Sequence, residues 1–246
     1  MANPIAISRD GHVMVLTIHR PDKRNALTQE MYCQLCDGLQ QAEQDPEIHA
    51  CLLRGQGDCF TAGNDLGNFH ADQAFDDNNA AARFIRLLPT LTKPLIAAVG
   101  GSAVGIGCTL LPHCDMVIAA DNATFMLPFV NLGIVPEAGS STLIPQMCGG
   151  PLAAELLLLG ESFGVARAKQ VGLVNCSCPE AELMDLAMSY AQKFASRPPL
   201  AMQQAKRLLK LSQPQLGAVM QAEFAALGER LASDEARRVI QARLKP

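Results

Sequence analysis

PLIAAVGGSAVGIGCTLLPHC, Pro94 to Cys114, contains no Asp, Glu, Lys or Arg. Its reading decides the fold. An uncharged run of this length is about what a membrane span needs, and Gly101-Ser-Ala-Val-Gly105 even fits a helix-pairing pattern. The run is broken too often for one helix, however. Gly100 and Gly101 are adjacent, Gly105 and Gly107 follow, and prolines stand at Pro94 and Pro112. These residues punctuate local structure. The stretch reads as a buried strand over 94–99, a glycine-rich turn, and a buried helix starting near Gly107. That is one unit of an α/β core, and no membrane partner is expected.

The same pattern extends in both directions. Downstream, Asp115–Ala120 and Ala123–Leu127 read as strands. Upstream, His49–Leu53 is a short apolar strand closed by Gly55 and Gly57, and His12–His19 alternates in part as a half-buried strand does. Leu27–Gln44 carries apolar residues at 27, 31, 35 and 39, a helical stripe. Thr28 with Met31 makes no capping box, so the start of this helix is not fixed. Asp65–Asn79 is rich in Asp and Asn and reads as an exposed loop. Asn79 caps a helix over Ala80–Leu88. Strands alternating with helices predict an α/β fold with parallel strands. Beyond about residue 180 strand signals fade, and Pro198, Pro199 and Pro214 divide the remainder into about three helices. The expected organisation is a core over 1–190 and a helical region for subunit contact over 191–246.

Composition narrows the function. Of the 246 residues 49% are hydrophobic and 18% charged, which supplies a sizeable core and argues against disorder. The net charge of −4 and the lack of a long basic run argue against nucleic acid as a partner. The nine cysteines are scattered. Cys33-x-x-Cys36 lies in a helical run without a second pair or a histidine cluster, so no metal site is expected. Buried reduced thiols fit a cytoplasmic protein, and the N-terminus lacks the order of a signal peptide.

There is no GxGxxG after a strand, no GK[ST] and no GxSxG. Two other glycine-rich turns stand out, Phe60-Thr-Ala-Gly-Asn-Asp-Leu66 and Gly100-Gly-Ser-Ala-Val-Gly-Ile-Gly-Cys-Thr-Leu110. Small residues let a backbone approach a ligand. Two such turns at the ends of neighbouring strands would aim two N–H groups at one oxygen, the arrangement of an oxyanion hole. Either turn alone is equally an ordinary tight turn.

Together with Arg20-Pro-Asp-Lys-Arg-Asn-Ala-Leu27, Val104-Gly-Ile-Gly-Cys108, Ala168-Lys-Gln-Val-Gly-Leu-Val-Asn175 and Arg197-Pro-Pro-Leu200, these turns resemble the crotonase family, the enoyl-CoA hydratases and isomerases. The resemblance spans nearly the whole chain. It implies a spiral of ββα units with a C-terminal helical oligomerisation region, packed as a homotrimer or homohexamer. It implies an acyl-CoA thioester as ligand, with coenzyme A as part of the substrate and no other cofactor. The thioester oxygen would meet the backbone N–H groups of Asn64 and Ile106. Ala62, Gly63, Asp65, Leu66, Gly105, Gly107 and Phe129 would line the substrate site, and Lys23 and Arg24 stand where the family meets CoA phosphates. They read equally well as solvated surface charges.

The family's hydratases position water with two glutamates, at the places that hold Thr109 and Phe129 here. Neither residue can do that work near neutral pH. Phe125-Met-Leu-Pro-Phe-Val-Asn-Leu-Gly-Ile-Val-Pro-Glu-Ala-Gly-Ser-Ser141 instead resembles the monofunctional Δ3,Δ2-enoyl-CoA isomerases, in which one glutamate at the position of Glu137 moves the proton. Local sequence offers another reading, Pro136-Glu137 as the opening turn of a helix, where proline and an acid are both favoured. Two further readings stay open: a weak hydratase or other acyl-CoA enzyme of this family, and a catalytically silent acyl-CoA-binding protein. Among the histidines only His113 stands near the expected site. His12, His19 and His49 fall on strand-like runs, and His70 on the polar loop.

Overall fold

The computed structural model describes residues 3–68 and 78–244. His70 and most of the polar loop expected over 65–79 lie outside the described residues. The chain begins with a hairpin, β1 (Ile5–Asp10) and β2 (Val13–Ile18), followed by α1 (Gln29–Gln44). Next come β3 (Ala50–Gly55), β4 (Cys59–Thr61) and α2 (Ala80–Leu87), then β5 (Leu95–Val99), β6 (Ser102–Val104) and the short α3 (Ile106–Thr109). β7 (Met116–Ala120), β8 (Thr124–Met126) and α4 (Ser140–Cys148) repeat the order. After α5 (Gly150–Ala154), β9 (Phe163–Gly164), α6 (Val165–Gln170) and β10 (Cys176–Cys178), the chain turns helical: α7 (Leu183–Ala195), α8 (Pro199–Lys210), α9 (Leu216–Leu231) and α10 (Asp234–Leu244).

The repeat is a ββα unit whose two strands enter different sheets. The six-stranded sheet runs β1-β2-β3-β5-β7-β10, parallel except for the first hairpin, and the four-stranded sheet runs β4-β6-β8-β9. Each unit thus advances both sheets by one strand, and the chain winds as a spiral. The repeat lives in the backbone; the sequence shows no internal repeat. The large sheet is covered on both faces. On one side Val13, Val15, Leu52, Ile96 and Ile118 pack against α7 through Leu183, Ala187, Ala191 and Ala195. On the other, Leu16, Leu53 and Val99 join the main core with α1 and α2. A parallel sheet buried on both faces needs continuous apolar strands, which is why LIAAV at 95–99 is buried throughout. The alanines at 187, 191 and 195 let α7 lie close to the sheet. A larger side chain at Ala191, which is 0% exposed, would cost about 1–3 kcal/mol in overpacking.

The uncharged run at 94–114 is therefore a strand, a second short strand, and helical turns, all within the fold. Among the described residues no helix is long and apolar enough to cross a membrane. β1, β4, β6, β9 and β10 were not legible as strands, since most are two or three residues long and leave no period to read. Thr28 does cap α1, accepting from the Met31 N–H without a capping box, and Asn79 caps α2 through the Ala81 and Ala82 N–H groups. The C-terminal region holds four helices where three were expected. The extra break, at Ala232–Ser233, carries no proline. Residue 190 lies inside α7. None of the nine cysteines is in a disulfide, and burial pushes the thiol of Cys108 well above its ordinary range.

α9 buries Leu216, Met220, Phe224 and Leu227 within the chain. α8 does not do the same, and it leaves Leu200, Leu208, Leu209 and Leu211 exposed.

Candidate active site

The two glycine-rich turns issue from β4 and β6, the neighbouring strands of the small sheet, and not directly from β3 and β5. β4 and β6 run parallel, with Thr61 opposite Ala103. The first turn is pinned by a bridge to Leu27, whose N–H donates 2.8 Å to Gly63 O and whose carbonyl accepts from Asp65 N–H at 2.9 Å. In this parallel pairing the Asn64 N–H between them faces away. In the second turn Gly105 holds φ 56° and ψ −119°, a conformation essentially reserved for glycine. The next residue, Ile106, opens α3, so its N–H has no intrahelical partner. Among the described residues neither the Asn64 nor the Ile106 N–H has an acceptor. The turns also touch: a Cβ on Gly63 would stand 2.7 Å from Val104 O.

Both turns line a pocket of about 180 Å³. Of the expected substrate residues, Ala62, Gly63, Asn64 and Leu66 line it from the first turn, and Gly105 and Ile106 from the second. Phe129 forms part of its apolar wall with Met126, Leu132 and Ile134. Other expected positions lie elsewhere. Gly107 faces the protein, where a Cβ would come 2.5 Å from Thr61 Cγ2; it spaces α3 from β4. Asp65 turns to Arg20 at 2.6 Å. Burial pushes its carboxyl upward, but the hydrogen bonds from Arg20 and the Gly67 N–H and the charges of Arg20 and Lys23 together outweigh this, and the carboxyl sits below its ordinary value. Lys23 and Arg24 are exposed outside the pocket, Arg24 donating to Ser102 Oγ at 3.1 Å.

Glu137 does not open a helix. α4 begins at Ser140, after Ala138 and Gly139 in left-handed conformations. The local-sequence reading fails because the acid at the α4 N-terminus comes from far along the chain. Glu223 of α9 accepts from Gly139 N–H at 2.6 Å, Ser141 N–H at 3.0 Å and Ser141 Oγ at 2.5 Å. Glu137 is instead a buried carboxyl, 2% exposed. Its Oε1 accepts from Thr109 Oγ1 at 2.5 Å, and its Oε2 is buried without a protein partner. Burial drives its pKa up to about 8; the Thr109 hydrogen bond works the other way, and the charge of Glu223 adds to the rise.

Three further residues hold this centre. Thr109 is more than a missing carboxylate, since its hydroxyl orients Glu137. His113 touches the protein and not the pocket: Nε2 lies 2.7 Å from Ala138 O, and burial drops its pKa to about 4, so the ring is neutral. Tyr32 donates 2.5 Å to Asn64 Oδ1. Burial pushes its phenol far up, with the charge of Glu137 adding to the effect. Tyr32 and Glu223 escaped the sequence reading. Glu223 had a signal, being the lone acid on the apolar stripe Leu216, Met220, Phe224, Leu227. A larger cavity of about 380 Å³ lies between Pro89, Pro112, Lys206 and Lys210. It shares no lining residue with the pocket above, so size alone does not locate the chemistry.

Comparison with known proteins gives the family. The enoyl-CoA hydratase/isomerase family model matches residues 8–245. The chain is 39% identical to the 2,3-dehydroadipyl-CoA hydratase of Escherichia coli over 85% of its own length and 82% of that protein. It is 35% identical to enoyl-CoA delta isomerase 2 of Rattus norvegicus over 94% of its length, which is 61% of that longer protein. Among solved structures, OdaA of Pseudomonas aeruginosa superposes with a TM-score of 0.95 at 38% identity, covering 100% of both chains. With paired amide turns, a buried carboxyl and relatives named for both hydration and isomerisation, the chain belongs to the enoyl-CoA hydratase/isomerase family and is an acyl-CoA enzyme of the crotonase fold.

Proposed function

We propose that the protein shifts the double bond of a 3-enoyl-CoA to give the 2-trans-enoyl-CoA, with Glu137 as the single proton carrier. The thioester carbonyl accepts from the Asn64 and Ile106 N–H groups. Ionised Glu137 takes a proton from C2, and the electron pair moves onto the thioester oxygen, where preorganised donors stabilise the developing charge. Glu137 then returns the proton to C4 as the pair moves back along the chain. The net change is migration of one double bond, so the chemistry calls for no redox partner, and coenzyme A is carried as part of the substrate.

One observation carries this reading. Glu137 is a buried carboxyl joined to the second turn by Thr109 on one oxygen and unpartnered on the other. A pKa of about 8 suits a group that must both take and give a proton near neutrality. Phe129 and Thr109 supply no second carboxyl to hold water, which favours isomerisation over hydration. The test follows enoyl thioester absorbance and 3-hydroxyacyl-CoA formation together. Wild type should isomerise 3-enoyl-CoA much faster than it hydrates 2-enoyl-CoA. Glu137→Gln should lose about a hundredfold or more in turnover while still binding acyl-CoA. Fast hydration by wild type, or a fully active Glu137→Gln, sinks the reading.

The exposed leucines of α8 support a further part of the proposal, assembly in threes through the C-terminal region. Light scattering behind size exclusion should give a multiple of three subunits, and a clean monomer at micromolar concentration would contradict it.

A further inference from the structure

Arg243 is the one charged side chain that lines the pocket among the described residues, and the proton transfer above does not use it. It stands in the last turn of α10. That helix packs on the short turns Leu66–Asn68 and Val130–Leu132, which contribute Leu66 and Leu132 to the pocket lining. Its position is set by close packing: a Cβ on Gly133 would lie 3.0 Å from Ala236 Cα, and Arg230 Nε donates 3.0 Å to Gly133 O. Some arginines have acids, Arg20 with Asp65, Arg167 with Glu155 and Arg230 with Glu235, but none of these lines the pocket. Among the described residues no acid pairs with Arg243.

An unpaired guanidinium beside Met126, Phe129, Leu132 and Ile134 contributes nothing to a plain hydrocarbon chain. A planar fork of donors matches a carboxylate. We infer that Arg243 recognises a carboxylate at the far end of the acyl chain, so that the preferred substrates are CoA thioesters of dicarboxylic acids. The other anions on the substrate are the CoA phosphates. The whole pantetheine arm separates them from the sulfur, whereas Arg243 shares its pocket with the Asn64 and Ile106 turns that would hold the thioester. The inference rests on the reading of those amides as the thioester site, but not on Glu137 as the base.

The experiment is calorimetric binding of two saturated esters of equal chain length, adipyl-CoA and hexanoyl-CoA, which differ only in the terminal carboxylate and need no turnover. Arg243 is solvent-exposed at the rim, so wild type should favour adipyl-CoA by about tenfold, the scale of one charge-assisted hydrogen-bonded pair. Arg243→Met should bring the ratio of the two affinities to about one, and Arg243→Lys should restore part of it. Three outcomes overturn the inference: no preference in wild type, a preference that survives in Arg243→Met, or equal weakening of both esters, which would place the guanidinium on the CoA phosphates. A wild type that prefers adipyl-CoA yet isomerises nothing would refute the role of Glu137 and leave this inference standing. Failure to bind either ester would refute both.

Discussion

The two amide turns line one pocket, and the Glu137 loop lies buried behind the second of them, joined to it through Thr109, but the turns and the loop are held by different forces. The turns are set by backbone: β4 beside β6, the bridge from Leu27 to Asn64, and a glycine conformation at Gly105. The Glu137 loop is set by side chains from distant elements. Thr109 holds its carboxyl, His113 holds the next carbonyl, and Glu223 ties down Gly139 and Ser141 from α9. Leu216 of α9 packs where a Cβ on Gly139 would stand, 2.4 Å away. A backbone device tolerates side-chain change, provided its glycines stay. A side-chain device depends on everything that packs against it, here the C-terminal helices. The half of the site proposed to bind charge is thus local, and the half proposed to move the proton is built by the tail.

The largest expected effect tests whether the loop truly forces a carboxyl out of water. Moving Glu137 from an ordinary 4.5 to about 8 corresponds to a few kcal/mol, at about 1.4 kcal/mol per tenfold change in the ionisation constant. The folded state holds this proton between those values and the unfolded chain does not, so stability should fall as pH rises across that window. His113, whose pKa falls to about 4, contributes the opposite slope below its ordinary 6.5. The difference between wild type and Glu137→Gln removes that contribution. Denaturant midpoints at pH 5 and pH 8 should show the variant gaining on wild type at the higher pH. Parallel curves would mean that the carboxyl is solvated.

Next comes the backbone half. Gly105→Ala places a Cβ at φ 56° and ψ −119°. Nothing crowds that Cβ, so the cost is backbone strain of about 1–3 kcal/mol. Relief of the strain would swing the Ile106 N–H. Turnover should fall by about a hundredfold, the effect of losing one oxyanion donor, with the pH dependence unchanged. A folded variant with normal turnover would separate Ile106 from the chemistry.

Glu223→Gln should do the reverse at a smaller scale. Removing a negative neighbour lowers the pKa of Glu137, so the rising limb of kcat/KM should move to lower pH. Looser anchoring of Gly139 and Ser141 should cost about tenfold in kcat, within the range for misplacing an acid/base group. Acyl-CoA affinity should hardly move, because the amide turns are untouched. If affinity falls and the pH profile stays, the two halves of the site are not independent.

Much of the backbone half was legible in the chain. Phe60–Leu66 and Gly100–Leu110 are contiguous, and their small residues declare turns before any contact is known. Their parent strands β4 and β6 were not legible, being three residues each. Glu137 stood out as a lone acid among apolar residues. Its surroundings did not, and local rules pointed to a helix opening that α4 does not use. Tyr32, Glu223 and Arg243 lie 32, 84 and more than 100 residues from the groups they serve, and no spacing connects them.

The sequence by itself determined the α/β order, the cap at Asn79, the two glycine turns and the apolar setting of Glu137. Each of these rests on neighbours within a few residues, where propensity, periodicity and turn chemistry act. Tertiary structure alone decided that both turns face one pocket, that Thr109 holds Glu137 while Glu223 caps α4, and that Arg243 reaches the wall. Those outcomes depend on how two sheets wind together and where α9 and α10 come to rest. Burial, and with it the displaced pKa of Glu137, exists only once those distant segments have excluded water from around it.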